Sequence, residues 1–215
     1  MTRRFLPTAA ALAAAGALLL TACGGGDDTS KDKIAGADKA KKSASPSATA
    51  AEDDIDRPKI ELPSDLTYSF TPTKTGDPDK DAVLRDNEQF IKATDLAIAR
   101  SDARDKAYQF YSEGLAAAGT EKWIKEYIQY GDRTTGELRV FDRKATVSKD
   151  GTASLVYCTD ESKAFNMDLK SKKVDKNPAT KDSYVAYNTQ LRKNDKGVWV
   201  TERMISQRGV SQCQP

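Results

Sequence analysis

Helix signals and strand signals occupy different parts of this chain, and that segregation limits its fold more than any other feature. Across residues 79–100, Val83, Phe90, Ile91, Thr94, Ala97 and Ile98 recur at helical spacing. Asp79 and Asp81 suit the positive N-terminal end of such a helix, and Arg100 suits its far end. A second helix is expected over 102–118, with Ala107, Phe110, Tyr111 and Leu115 facing inward and Gly119 as its stop. Thr120 suits the N-cap of a third, which ends at Gly131 and carries Trp123, Ile124, Tyr127 and Ile128 on one face. Strand patterns follow. Segments 138–148 and 153–159 flank Asp150-Gly151, a hairpin turn, and 184–192 and 198–206 flank Asn194-Asp195-Lys196-Gly197, a second one. Between the hairpins Phe165, Met167 and Leu169 alternate, as the inward face of a further strand, with Ala164, Asn166 and Asp168, and 170–181 reads as a polar loop. Ahead of the helices, Leu66, Tyr68 and Phe70 alternate, while Pro63, Pro72 and Pro78 restrict that segment to an edge strand or ordered coil. The order implies an α+β fold, with N-terminal helices packed on one face of a bent, mainly antiparallel sheet.

The first 58 residues stand apart from this pattern. Arg3 and Arg4 precede an uncharged apolar stretch from Phe5 to Leu20, and small residues follow, the arrangement of a signal peptide over residues 1–22. Leu20-Thr21-Ala22-Cys23 resembles the lipobox of bacterial lipoproteins. The resemblance implies cleavage before Cys23, a diacylglyceryl thioether on its sulfur, further acylation by chains such as palmitate, and a lipid bilayer as partner. The chain is then expected at the extracytoplasmic face of the cell membrane. Thr2-Arg3-Arg4-Phe5-Leu6 approaches a twin-arginine signal, so the export route stays open. Residues 23–58 form a lipidated tether of Gly, Ala, Ser, Thr, Lys and Asp, whose large aliphatic side chains are Ile34 and Ile55. Such a segment buries too little apolar surface to offset the entropy of ordering. As a flexible chain it reaches roughly 30–35 Å. Residues 59–215 make up the domain.

Charge excludes one class of partner. Lys and Arg number 34 against 32 Asp and Glu, and removing the leader takes away Arg3 and Arg4, which leaves the two signs in balance. Nucleic acid is not an expected partner, because nothing in that balance neutralises phosphate. Three cysteines are present, Cys23, Cys158 and Cys213. With Cys23 acylated, Cys158 and Cys213 remain as an even pair in an oxidising setting, which favours a disulfide. Two buried thiols acting as small hydrophobes are the alternative.

Lipobox, Ala/Lys/Asp tether, helices followed by a meander and a C-terminal cysteine together resemble actinobacterial lipoproteins of unknown function. Over 59–215 the order of elements resembles the nuclear-transport-factor-2-like cone fold, also called cystatin-like or polyketide-cyclase-like. That resemblance implies a cone whose members are enzymes, small-ligand binders or interaction modules. The chain has no histidine, which removes the commonest general base and the commonest metal ligand. No catalytic motif, metal cluster or cofactor fingerprint stands out, so no catalytic residue, metal or cofactor is assigned. Asp160 and Glu161 are adjacent acids that could shift one another's pKa, or else a solvated strand end. Trp123, Tyr127, Tyr157, Tyr184, Tyr187 and Trp199 either line a cavity in the cone or fill its core. Lys170, Lys172, Lys173, Lys176 and Lys181 read as a soluble loop or a contact for anionic polymer. The leading expectation is a non-enzymatic binding or accessory module, taking a small apolar ligand or a cell-envelope protein. An isomerase, dehydratase or cyclase working through Asp and Tyr is one alternative, and a homodimeric structural module is another.

Overall fold

The computed structural model describes residues 54–215. Residues 1–53, with Cys23 and most of the segments read as leader and tether, lie outside the described residues.

An edge strand, β1 (Leu66–Phe70), leads into helix α1 (Pro78–Ala99), the short α2 (Lys106–Phe110) and α3 (Gly114–Tyr130). The strands β2 (Asp132–Val147), β3 (Thr152–Asp168), the two-residue β4 (Val174–Asp175), β5 (Tyr184–Lys193) and β6 (Trp199–Arg208) follow. They form one sheet in the order β1-β2-β3-β5-β6, with β4 against β3. β1 runs parallel to β2, and every other pairing is antiparallel. This is the α+β cone expected from the order of elements.

Helix α1 starts where its chemistry allows. The Asp77 carboxylate accepts from the backbone N–H groups of Asp79 (3.0 Å) and Lys80 (3.3 Å), and Pro78 occupies the first turn, where a missing N–H is harmless. One side of α1 presses Val83 and Leu84 onto Phe70, Val140, Leu155, Tyr157, Leu191 and Trp199 from the sheet. A second cluster joins Ala93, Ala97 and Ile98 of α1 to Ala107, Tyr108 and Ile124. Ile55 packs on a third cluster around Phe90, Tyr111, Val198 and Val200, so the end of the segment read as tether touches the domain.

Several boundaries differ from the sequence reading: β2 begins at Asp132 and not at 138, β4 lies within the 170–181 segment read as a loop, and two further differences have a backbone reason. The helix break falls at Tyr111–Glu113 and not at Gly119. There β6 takes over the backbone groups: Thr201 N–H donates to the Tyr111 carbonyl (2.9 Å), and Glu113 N–H donates to the Thr201 carbonyl (3.0 Å). Gly119 instead lies inside α3 with open space around it, and Thr120, read as an N-cap, is buried in the same helix. Gly131 does terminate α3, in the left-handed conformation (φ 77°).

The segments read as separate strands around 153–159 and 165–169 are one strand, β3. Its pairing with β2 jumps from Arg139↔Asp160 to Glu137↔Lys163, a bulge that inserts an extra residue and reverses which side chains face inward. Nearby, Gly136 (φ 99°) lies where a Cβ would come 2.2 Å from the Lys163 carbonyl oxygen, so only glycine fits.

Cys158 and Cys213 form a disulfide, which pins the C-terminal turn across the sheet face opposite the helices.

Candidate functional site in the concave face of the sheet

The bulge in β3 decides what the cone contains. N-terminal to it, Leu155, Tyr157 and Thr159 face the helices; beyond it the inward set becomes Ala164 and Asn166, and Asn166 Oδ1 accepts from the Tyr127 hydroxyl of α3 (3.3 Å). Phe165 and Met167, read as the inward face of a strand, therefore turn to the other side. Between the two registers Glu161 projects inward beside Thr159.

At the heart of this concave face is Asp95. It belongs to the α1 stripe Leu84, Asn87, Ile91, Asp95, Ile98, whose spacing of three and four keeps it on the sheet side. One carboxylate oxygen accepts from the Tyr68 hydroxyl of β1 and the other from the Thr134 hydroxyl of β2 (2.8 Å). Around them stand Tyr127 of α3, Tyr187 of β5, and the Glu161–Arg208 ion pair (2.7 Å) that links β3 to β6. Asp95 and Tyr68 are crowded by protein as closely as core groups, yet each keeps part of its surface exposed. Both facts hold together for groups lining a recess open at one side.

The electrostatics follow from that enclosure. Burial, the largest influence, raises the Asp95 carboxyl above its ordinary range even though the hydroxyls of Tyr68 and Thr134 act to lower it. The Tyr68 hydroxyl is pushed well up, first by burial and then by the negative charge of Asp95. Tyr187 is raised for the same first reason and next by Glu161. Tyr127 is pushed up to about 12, by burial and then by Asp95.

A stability signature follows. Folded Asp95 holds its proton at pH values where the unfolded chain, with a carboxyl near pH 4, has released it. A raised carboxyl contributes stability at low pH that is lost as pH climbs through the folded value. Asp95→Asn cannot titrate, so its stability relative to the parent should improve as pH rises from about 4 toward neutrality. Denaturant midpoints of both proteins across that range measure the difference, and a difference independent of pH would contradict the raised carboxyl.

Of the six aromatics singled out in the sequence, the recess brings Tyr127 and Tyr187 together. Tyr157 stacks on Tyr187 (4.8 Å, 6°) but is buried, and Trp199 is buried in the core beneath α1. Alternation from the buried Val185 sends Tyr184 to the outer face beside Asp160, and Trp123 is exposed on α3. Asp160 and Glu161 do not act as a pair. Asp160 meets Arg139 on the outer face (3.2 Å), where burial works to raise its carboxyl but hydrogen bonds from Ser162 and Arg139 outweigh it and hold it low. Tyr68, Asp95, Thr134 and Arg208 were not singled out in the sequence. Asp95 had a signal, being the one charged residue in the run 93–99, whose other members except Thr94 are apolar.

Two further concavities are present, the second sharing Tyr127 and Asn166 with the recess. A hollow of about 560 Å³ on the outer sheet face is floored by Val156, Ala186, Asn188 and Ile205 and walled by the disulfide and Gln212. A smaller one, about 160 Å³, opens at the end of α3.

No family model and no curated protein matches the sequence. Among solved structures, the chain is similar to the intermembrane space region of the chloroplast protein ARC6, at 14% identity over 60% of this chain and 97% of that one, with a TM-score of 0.38. It is also similar to a ketosteroid isomerase-like protein from Erwinia carotovora atroseptica SCRI1043, at 15% identity over 56% of this chain and 92% of that one, with a TM-score of 0.34. These are distant likenesses, and what the recess can do follows from its own side chains.

Proposed function

We propose that this protein is a lipid-anchored binding module of the extracytoplasmic membrane face, whose concave recess holds a small, largely apolar ligand at Asp95, Tyr68 and Tyr127. The observation that carries the reading is the Asp95 carboxylate, enclosed by protein yet reached by solvent and flanked by hydroxyls. Tyrosine rings offer apolar area to such a ligand, and their hydroxyls with the carboxyl offer a few fixed polar points. Binding fits better than catalysis because both Asp95 oxygens already accept hydroxyl protons, and Glu161 is committed to Arg208.

A second reading, an isomerase, dehydratase or cyclase using Asp95 and Tyr68, is favoured by one observation, the raised Asp95 carboxyl. Native mass spectrometry of the purified full chain separates the readings. Co-purified mass lost in Tyr68→Phe and Asp95→Asn supports the binding site, and turnover of that compound by the parent protein would replace it with the enzyme. A chain that carries and binds no small molecule would sink both.

The anchor is supported by Leu20-Thr21-Ala22-Cys23. Cys23→Ala should move the protein from the membrane fraction to the soluble fraction of the producing cells. Two acyl chains hold a protein stably, at ~0.8 kcal/mol for each buried methylene. Unchanged membrane association of the variant would overturn the anchor.

A further inference from the structure

We propose that the hollow at the C-terminal end of α3 is a binding site for an organic cation, an alkylammonium head group. Six residues line it: Trp123, Glu126, Tyr127, Tyr130, Asp132 and Asn166. Three are aromatic and two are acids, a composition that a solvated helix end does not require.

The aromatics are arranged as walls. Trp123 and Tyr127 meet at 67° with centroids 5.2 Å apart, so their rings form a corner and not a flat platform. Helical spacing sets Tyr130 three residues beyond Tyr127, on the same side of α3. Trp123 is 47% exposed and Tyr130 77% exposed, so both rings remain available to a ligand. A corner of rings suits a compact, rounded group, because a cation held over aromatic faces is attracted from more than one side. A sugar ring would call for one open face to lie upon.

Charge points the same way. The Glu126 carboxylate lies 3.9 Å from the Lys122 ammonium, a loose surface pair that leaves its charge available at the rim. The volume, about 160 Å³, equals that of about five water molecules at ~30 Å³ each, enough for a small head group but not for an extended ligand. The sequence expectation for Trp123, cavity lining or core filler, does not account for exposed rings gathered around two acids.

Fluorescence of the full chain tests the site directly. Trp123 and Trp199 are its two tryptophans, and Trp199 is buried, so a ligand at the hollow changes the Trp123 signal. Choline and tetramethylammonium should each give a saturable change, and 3,3-dimethylbutanol, the uncharged shape of choline, should bind about tenfold more weakly. Glu126→Gln with Asp132→Asn should weaken choline by a similar factor and leave the alcohol unaffected. Trp123 is exposed and Glu126 and Asp132 are half-buried, and unchanged circular dichroism confirms that the double variant folds. Tyr127 and Asn166 are common to the hollow and the recess, but the acids of the hollow are Glu126 and Asp132, so Asp95→Asn should change choline binding by less than twofold. No saturable response to either cation overturns the proposal. So does equal binding of the alcohol, and so does saturation by glucose or N-acetylglucosamine in place of the cations.

Discussion

Asp86→Ala is expected to destabilise the fold by about 3–5 kcal/mol, the range for removing one partner of a buried ion pair. Asp86 has no exposed surface. One of its oxygens accepts from Arg57 (2.7 Å) and Arg85 (3.2 Å), and the other accepts from the backbone N–H of Trp199 (2.8 Å). One carboxylate thus joins the entry segment of the domain, α1 and the start of β6. Burial is the strongest influence on its carboxyl and raises it; the Trp199 amide and the two guanidiniums oppose that. Alanine leaves the Trp199 N–H without the Asp86 acceptor in the core and takes from Arg57, a guanidinium four-fifths buried, its partner carboxylate. Asp86→Asn keeps an acceptor for Trp199 and should lose less, which separates the hydrogen bond from the ion pair. Urea unfolding with an unchanged slope is the measurement. A loss below about 1 kcal/mol, the scale of a surface pair, would mean that the network contributes nothing beyond packing. Because Arg57 is a ligand of this carboxylate, limited proteolysis around residues 54–58 should also speed up in the alanine variant.

That network shows why part of this molecule was legible in the sequence and part was not. Periodicity located α1, the hairpins at Gly151 and Gly197, and the C-terminal glycine of α3, because each is set by residues near one another in the chain. The break between α2 and α3 was placed wrongly because its cause is distant: Thr201, ninety residues on from Tyr111, claims the backbone groups there. The bulge in β3 was unreadable for the same kind of reason. It is fixed by pairing with β2, and it alone puts Glu161 and Asn166 inside the cone. Tyr127 and Tyr187 were chosen as aromatics on inward positions, a rule that selected Trp199 and Tyr157 equally and cannot tell recess from core. Asp95 could have been found, since a lone acid among Ala93, Leu96, Ala97 and Ile98 must be hydrogen-bonded or protonated once that face is buried. Its partners Tyr68 and Thr134 could not, as they come from strands that meet only in the folded sheet.

Removing the Cys158–Cys213 disulfide is the second large effect expected. The bond closes a loop of 55 residues that holds the end of β3 and all of β4, β5 and β6. On the chain-entropy account its loss costs about 4 kcal/mol, because the unfolded chain regains the freedom that the crosslink had removed. Against a total near 5–15 kcal/mol for an ordinary domain, that is a large share. The native state loses contacts as well. Cys213 is fully buried and Cys158 nearly so, and their bond keeps the C-terminal turn on the outer sheet face, where Gln212 forms one wall of the hollow over Val156 and Ile205. Cys158→Ala with Cys213→Ala should therefore unfold at much lower denaturant, and its midpoint should not respond to reductant. The parent should match the variant when fully reduced and exceed it when oxidised. Thiol labelling of the denatured, unreduced chain adds a second check: neither Cys158 nor Cys213 should react. If the oxidised parent and the double variant unfold at the same midpoint, the crosslink does not stabilise the domain, and the turn is held on the sheet by packing of its own.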